Sequence, residues 1–143
     1  MNELLVMLTI DDRRVAIPAV EVKSVIELEE IYPVPRSPKF VVGLTAMRSQ
    51  SLTVIDSRLA VGVADANKVC ERAAVIEVEG HRYALLVDSV EDIAETKSKL
   101  TAVAGGFGAG WQRVAKGMVE TDQGPALMLD IEKLIEGPAA QAA

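Results

Sequence analysis

Residues 33–59 read PVPRSPKFVVGLTAMRSQSLTVIDSRL, and this stretch decides the fold class. It contains two short apolar runs, Phe40–Leu44 and Leu52–Ile55, which have the length and the β-branched composition typical of strands. Polar residues separate the two runs, as in a hairpin. Asp56 and Ser57 follow the second run and can cap one helical turn. The stretch therefore predicts a hairpin followed by a short turn of helix.

The rest of the chain repeats this pattern of short strands. Leu4–Ile10 is apolar, Asp11–Arg13 forms a polar turn, and Val15–Ile17 resumes the apolar pattern, which indicates a second hairpin. Ile131–Glu136, which precedes a Gly-Pro stop, has a helical pattern. We expect a mainly β protein with a short C-terminal helix. Further runs of strand length are Ala73–Val78, Tyr83–Val87, Val114–Val119 and Ala126–Leu129.

The sequence also carries an internal repeat. At an offset of 68 residues, Asp11–Glu27 matches Glu79–Glu95, and at an offset of 74, Gly43 matches Gly117. We interpret this recurrence as two related β modules within one domain of residues 1–136, roughly one in each half of the chain, each forming a small barrel or paired sheet. Exchange of a strand between the modules stays open. Residues 137–143 are predicted to form a flexible tail.

Charge and composition argue against several classes of function. The formal net charge is −6, and aromatic residues make up 3% of the chain, so neither nucleic acid nor an anionic membrane is an expected partner. No apolar run approaches the ~18 residues that a membrane-spanning helix needs. The single cysteine, Cys70, cannot form a disulfide within the chain. We expect a cytoplasmic protein.

Residues suited to catalysis or to metal binding are scarce. His81 is the only histidine, so neither a zinc site nor a Ser-His arrangement has enough partners. Residues 105–110 read GGFGAG, which lacks the spacing of a phosphate-binding loop; we interpret them as a connecting loop that Phe107 and Trp111 attach to the body of the protein. We predict no enzyme activity, no metal and no cofactor. A small-ligand role of the glycine loop is the remaining alternative.

Residues 33–59 resemble the centre of the CheW family, the coupling proteins of bacterial chemotaxis. That family reads Phe-apolar-x-Gly, then Asn-Leu-Arg-Gly, then Pro-Val-apolar-Asp-Leu-Arg. The resemblance extends to YALLVDSVEDI around Asp88 and to the closing ALMLDIEKLI, and it covers essentially residues 3–136. The central positions are held here by Phe40, Gly43, Arg48, Val54, Asp56 and Arg58.

The resemblance implies a fold and a function. The expected fold is two small SH3-like five-stranded β-barrels packed together around a shared core. The expected function is that of a non-catalytic signalling adaptor, which links the cytoplasmic tip of methyl-accepting chemoreceptors to the regulatory domain of the histidine kinase CheA. Such an adaptor is recruited to membrane-associated receptor arrays without inserting into the membrane.

The resemblance also implies two sets of contact residues. The family's receptor-binding arginine corresponds to Arg48, whose guanidinium can bind a carboxylate or carbonyl of a receptor helix or can instead brace its own barrel. For the neighbouring methionine and the valines, core packing remains an alternative to partner contact. The predicted receptor-binding residues are Arg48, Met47, Ser49 and Ser24. The predicted kinase-binding residues are Val22, Val25, Val42 and Gly43.

This chain departs from the family pattern at the proposed receptor-binding turn. Ala46 and Ser49 stand where the family has Asn and Gly, and Thr53 replaces the usual proline. If the family's glycine has a positive φ, Ser49 costs about 1 kcal/mol or forces a different turn. The alternative function is therefore a divergent CheW-like regulator, which binds only the kinase or serves a pathway other than chemotaxis.

Overall fold

A computed structural model describes residues 3–28, 30–62, 72–102 and 109–137, and these residues form ten β-strands, three short α-helices and one turn of 3-10 helix, Ala19–Glu21. The strands are β1 (Leu4–Ile10), β2 (Arg13–Pro18), β3 (Val22–Glu27), β4 (Val41–Met47), β5 (Gln50–Asp56), β6 (Arg72–Val78), β7 (His81–Val87), β8 (Ser89–Glu95), β9 (Ala115–Thr121) and β10 (Gly124–Leu129). The helices are α1 (Ser57–Val61), α2 (Ala109–Val114) and α3 (Ile131–Glu136).

The strands form two five-stranded sheets. Sheet 1 has the order β8-β1-β2-β10-β9, and sheet 2 has the order β3-β6-β7-β5-β4. Each sheet contains two antiparallel hairpins, β1–β2 and β9–β10 in sheet 1 and β6–β7 and β4–β5 in sheet 2. One parallel contact in each sheet, β2 with β10 and β7 with β5, joins the hairpins. The prediction of a mainly β fold is confirmed.

The two sheets are built from the same sequence of elements. The series β1 to β5 followed by α1 matches β6 to β10 followed by α3, and each strand occupies the position in its sheet that its counterpart occupies in the other. β3 nevertheless lies in sheet 2 beside β6, and β8 lies in sheet 1 beside β1. Each sheet therefore combines strands from both halves of the chain.

Residues at the repeated positions have definite structural roles, most clearly the aspartates that precede α1 and α3. The Asp56 carboxylate accepts hydrogen bonds from the first N–H groups of α1, at 3.0 and 3.3 Å, and Asp130 accepts one from Lys133 in α3, at 3.2 Å. A Cβ atom on Gly43 would lie 2.4 Å from the Tyr32 carbonyl oxygen. Both helices thus begin at an aspartate N-cap, as the sequence predicts for Asp56.

Three apolar clusters hold the sheets together. One lies within each sheet, and the largest lies between the sheets. Trp111 is buried in this largest cluster beside α1 and α3, which confirms that its ring packs against the body of the protein. The cluster between the sheets includes Leu8, Ile10, Ile17, Ile55, Leu85, Leu127, Leu129 and Leu134.

Two local features differ from the sequence-based expectations. α2 begins at Ala109, within the segment 105–110 that the sequence predicts as a connecting loop, and the predicted strand Val114–Val119 begins one residue later, at Ala115. Six residues are too few for a helical period to show in the sequence. Gly137, which the sequence places at the start of the tail, is buried against the ring of Phe40.

Other expectations fall outside the part of the chain that the structure describes. These concern Cys70, the glycines at 105–108 with Phe107, and the tail from 138 to 143. None of the described helices is long and apolar enough to span a membrane.

Candidate partner-binding surface

The proposed receptor-binding turn is a two-residue connection between β4 and β5. Met47 pairs with Gln50, and the residues between them, Arg48 and Ser49, have φ angles of 52° and 67°. Two consecutive positive φ angles in a two-residue hairpin are characteristic of a type I′ turn, which favours Asn-Gly. The left-handed conformation considered for Ser49 is therefore present, and neither residue of the turn is of the type that this conformation prefers.

The tip of this hairpin presents an unpaired cation. Arg48 and Ser49 are exposed, and Arg48 forms no ion pair or hydrogen bond with any described residue. Its guanidinium consequently does not brace the sheet to which it belongs. It is available to a carboxylate or a carbonyl oxygen of another molecule.

Met47 lies beside the tip in a different environment. Its side chain is half-buried and packs against the apolar cluster within sheet 2. It also lines a groove of about 370 Å³ between the ends of β3 and β4, which we call the seam groove. The seam groove is lined by Ile26, Glu27, Leu28, Glu30, Tyr32, Thr45, Ala46 and Met47.

An exposed apolar strip that the sequence analysis missed borders the same edge. Tyr32 and Leu44 are paired through two backbone hydrogen bonds of 2.8 and 2.9 Å, and their side chains are 61% and 40% exposed. Val34 is 37% exposed. Within β4, Leu44 and Ala46 are exposed while Gly43 and Thr45 are buried, so the period of two in this strand is the sequence signal that identifies its outer face.

Tyr32 is also held by a neighbouring charge. Its hydroxyl donates a hydrogen bond of 2.6 Å to a carboxylate oxygen of Glu30. That bond, together with the negative charge of Glu30, raises the pKa of the Tyr32 hydroxyl above its ordinary value near 10. The pair fixes the orientation of an otherwise exposed ring at the mouth of the seam groove.

The predicted contact residues of β3 lie on two different faces of the strand. Val22 and Ser24 are half-buried, whereas Val25 lies on the outer face and is 42% exposed. Val22 packs against the cluster between the sheets. The Ser24 hydroxyl is shielded from solvent and has no hydrogen-bond partner among the described residues, so it offers no exposed polar atom to a receptor.

The remaining predicted kinase contacts lie on β4, the other end strand of sheet 2. Val42 packs against the apolar cluster within sheet 2, and Gly43 is buried where the backbone of Tyr32 approaches it. The structure therefore does not bring Val22, Val25, Val42 and Gly43 together on one exposed face. Their contact with a kinase stays a prediction.

Within the described ranges, no group of three or more His, Cys, Asp or Glu side chains is arranged to hold a metal ion. His81 is exposed at the start of β7, next to the turn that joins β6 to β7.

The surface around the β4–β5 turn has the features of a protein contact surface: an exposed cation, an apolar strip and a shallow groove.

Comparison with known proteins identifies the family of this chain. The model of the CheW-like domain matches residues 4–139. The chain belongs to the CheW-like domain family. It is 31% identical over 130 residues to a chemotaxis protein CheW of Thermotoga maritima, an alignment that covers 89% of this chain and 83% of that protein.

The fold agrees with a solved structure of the same family. The scaffolding protein TtCheW from Thermoanaerobacter tengcongensis superposes with a TM-score of 0.83, covering 96% of this chain and 95% of that one at 19% identity. The resemblance to the CheW-like family that residues 33–59 carry is confirmed. Proteins of the CheW family are non-catalytic scaffold or adaptor proteins.

Proposed function

We propose that this chain is a cytoplasmic, non-catalytic adaptor that couples chemoreceptors to a CheA-type histidine kinase in bacterial chemotaxis. Membership in the CheW-like family supports the class of function. The observation that carries the assignment of a receptor-binding site is the exposed guanidinium of Arg48 at the tip of the β4–β5 hairpin, which no described residue neutralises.

The receptor side of the adaptor centres on this hairpin. Arg48 supplies the charged contact to a receptor helix, and Met47 supplies a soft apolar contact beside it. Ser49 is the second residue of the turn and lies exposed beside Arg48. Tyr32 and Leu44 extend the contact along the edge of sheet 2, since both are exposed and adjacent.

The kinase side of the adaptor centres on the outer face of β3, with Val25 as its exposed apolar residue. Val22 supports β3 from within, because it is half-buried against the cluster between the sheets. Val42 and Gly43 shape β4, the other edge strand, where they are half-buried and buried. Their effect on kinase binding is expected to arise from the shape of the two edge strands. In cells the protein is recruited to membrane-associated receptor arrays through these contacts.

A binding titration tests the proposal. The chain, its Arg48→Glu variant and a control variant, Lys116→Glu, are each titrated with a soluble receptor tip and with the kinase regulatory domain. Lys116 is exposed on β9 of sheet 1, and its replacement makes the same change of charge away from the hairpin tip. We expect Arg48→Glu to abolish receptor binding while kinase binding persists, and Lys116→Glu to preserve both.

The departures Ala46, Ser49 and Thr53 favour a second candidate, a regulator that engages only the kinase. They cluster on the hairpin whose turn carries two left-handed residues. Kinase binding by the wild-type chain without any receptor binding would support this candidate. Failure to bind either partner would contradict both functions.

A further inference from the structure

Each sheet has a cleft at the same position of the internal repeat. In sheet 2, the parallel pairing of β5 with β7 begins at Thr53 and Tyr83, although both strands start closer to their hairpin turns. In sheet 1, the pairing of β10 with β2 begins at Leu127 and Val15, which correspond to Thr53 and Tyr83 at the offsets of 74 and 68 residues. The ends of the two strands therefore splay apart in both sheets, and a cleft lies between them.

The cleft of sheet 1 is small, and its arginine is used within the chain. Its volume is about 230 Å³. Arg14 donates a hydrogen bond to the carbonyl oxygen of Gln123 and forms an ion pair with Glu91 at 3.7 Å. Pro125 and Leu127 provide apolar walls. The lining of this cleft therefore offers little to a further molecule.

The corresponding cleft of sheet 2 is larger and polar. Its volume is about 490 Å³. Ser51 and Thr53 stand where sheet 1 has the proline and the leucine, and Arg82 stands where sheet 1 has Arg14. Thr53 is also one of the departures from the CheW family pattern, which has proline at this position. We call this space the hydroxyl cleft, and its walls include Gln50, Ser51, Thr53, Glu77, His81 and Arg82.

The hydroxyl cleft carries hydrogen-bond donors that find no acceptor in the described part of the chain. The Arg82 guanidinium donates to Glu77 through Nε, at 3.3 Å, and its two terminal nitrogens bond no described residue. The side chains of Gln50, Ser51 and Thr53 likewise form no hydrogen bond with a described residue. Thr53 and Arg82 are half-buried, so the surrounding protein limits their access to water. The cleft is thus suited to a ligand that accepts hydrogen bonds.

The charges of the hydroxyl cleft favour a ligand with a single negative charge. The two terminal nitrogens of a guanidinium match the two oxygens of a carboxylate, which they bind as a fork. Glu77 already pairs with Arg82, so the cleft has no excess of positive charge from this pair. Repulsion by the Glu77 carboxylate is twice as large for a dianionic phosphate as for a carboxylate at the same distance.

We propose that the hydroxyl cleft binds a carboxylate, which accepts hydrogen bonds from Arg82 on β7 and from the hydroxyls of Ser51 and Thr53 on β5. The carboxylate is carried by a free organic acid or by an acidic side chain of a partner protein. A volume of about 490 Å³ lies within the range of small-molecule clefts. None of the lining residues is among the proposed receptor or kinase contacts, so this site stands or falls separately from the adaptor function.

Two carboxylate probes and their neutral amides test this site on the full chain. Sodium acetate represents a free acid, and a blocked Gly-Glu-Gly peptide represents an acidic side chain; acetamide and a blocked Gly-Gln-Gly peptide are the uncharged controls. Each probe is titrated into ¹⁵N-labelled protein at constant pH and ionic strength. His81 is the only histidine, so its ring signals report on the cleft without overlap.

We expect saturable shifts of the His81 ring signals and of the Ser51, Thr53 and Arg82 amides with the carboxylate probes and no shifts with the amides. A lower Kd for the peptide than for acetate identifies an acidic side chain as the source of the carboxylate. An equal or lower Kd for acetate identifies a free acid.

Variants distinguish the cleft from a general effect of surface charge. Arg82→Gln should weaken binding at least about tenfold, because it removes the charge-assisted contact. Arg72→Gln is the matched control: Arg72 also forms a surface ion pair, with Glu27 at 2.9 Å, but lies at the far end of β6, so binding should change less than about twofold. Thr53→Val keeps a β-branched side chain and should weaken binding about fivefold, whereas Thr53→Ser should preserve it.

Five results would overturn the proposal. They are the absence of saturation by either carboxylate at roughly 50 mM, a concentration that detects even a Kd of about 10 mM; equal shifts with the neutral amides; an equal loss of binding in Arg72→Gln and Arg82→Gln; unchanged binding by Thr53→Val; and tighter binding of inorganic phosphate than of both carboxylates.

Discussion

Replacing Ser49 by glycine should stabilise the protein, because Ser49 stands in a left-handed conformation at the second position of a two-residue turn. An L-residue in this conformation costs roughly 1–2 kcal/mol, whereas glycine adopts it without a steric penalty. Glycine also adds entropy to the unfolded chain, which offsets part of the gain. We expect Ser49→Gly to raise the free energy of unfolding by about 1 kcal/mol, a shift in Tm of about 3 °C.

Ser51→Gly is a matched control two residues away. Ser51 is exposed within β5 and opposite Ala46, in an extended strand where glycine is destabilising by about 0.5 kcal/mol. Unfolding in urea can be followed by the fluorescence of Trp111, the only tryptophan, which is buried in the core between the sheets. If Ser49→Gly lowers stability, or if both variants shift it equally, the left-handed strain at Ser49 does not exist.

Contacts of Arg113, Gly43 and Tyr32 can each be tested by a single substitution. The Arg113 guanidinium donates hydrogen bonds to carbonyls at the ends of α1 and α3. Arg113→Met should therefore reduce the free energy of unfolding, measured in urea, by about 2–3 kcal/mol. An unchanged urea midpoint would contradict this. Gly43→Ala should cost about 2–3 kcal/mol, since its Cβ would lie 2.4 Å from the Tyr32 carbonyl; wild-type thermal stability would show that this approach relaxes freely. Because the pKa of Tyr32 is raised in the folded protein, its hydrogen bond to Glu30 stabilises the fold fully below the ordinary tyrosine pKa of about 10. This stabilisation is lost as the pH rises through the raised pKa. Tyrosinate absorbance should show this pKa falling in Glu30→Gln, and an identical titration would exclude the coupling.

Much of the fold could be predicted from local sequence. Short apolar runs bounded by polar turns located the strands. The aspartate before Ser57 identified the start of α1, and the helical pattern before a Gly-Pro stop identified α3. These signals are local, because each depends on residues within one turn or one hairpin. The resemblance of residues 33–59 to the CheW family rested on the same local motifs.

What could not be predicted depends on distant contacts. The repeat indicated two modules, but only the pairing of β3 with β6 and of β8 with β1 shows which strands are exchanged. α2 could not be predicted from the sequence, because its stability comes from burial of Trp111 and the hydrogen bonds of Arg113 rather than from helical periodicity.

The candidate site was only partly accessible from sequence. The turn at Arg48 and Ser49 was located by its motif, but the exposed pair of Tyr32 and Leu44 was not, because Tyr32 lies in a loop and reaches β4 through a single isolated bridge. The seam groove could not be predicted either, because it forms where the end of β3 approaches the end of β4, and these two segments are remote in sequence.

The adaptor function requires this chain to hold a receptor and a kinase at the same time. The most direct measurement is the mass, by light scattering after gel filtration, of a mixture of the chain with a soluble receptor tip and the kinase regulatory domain. The adaptor function predicts a complex that contains all three, which Arg48→Glu reduces to chain and kinase domain alone. Displacement of the kinase domain by the receptor tip would contradict it, because competition for one surface is incompatible with coupling.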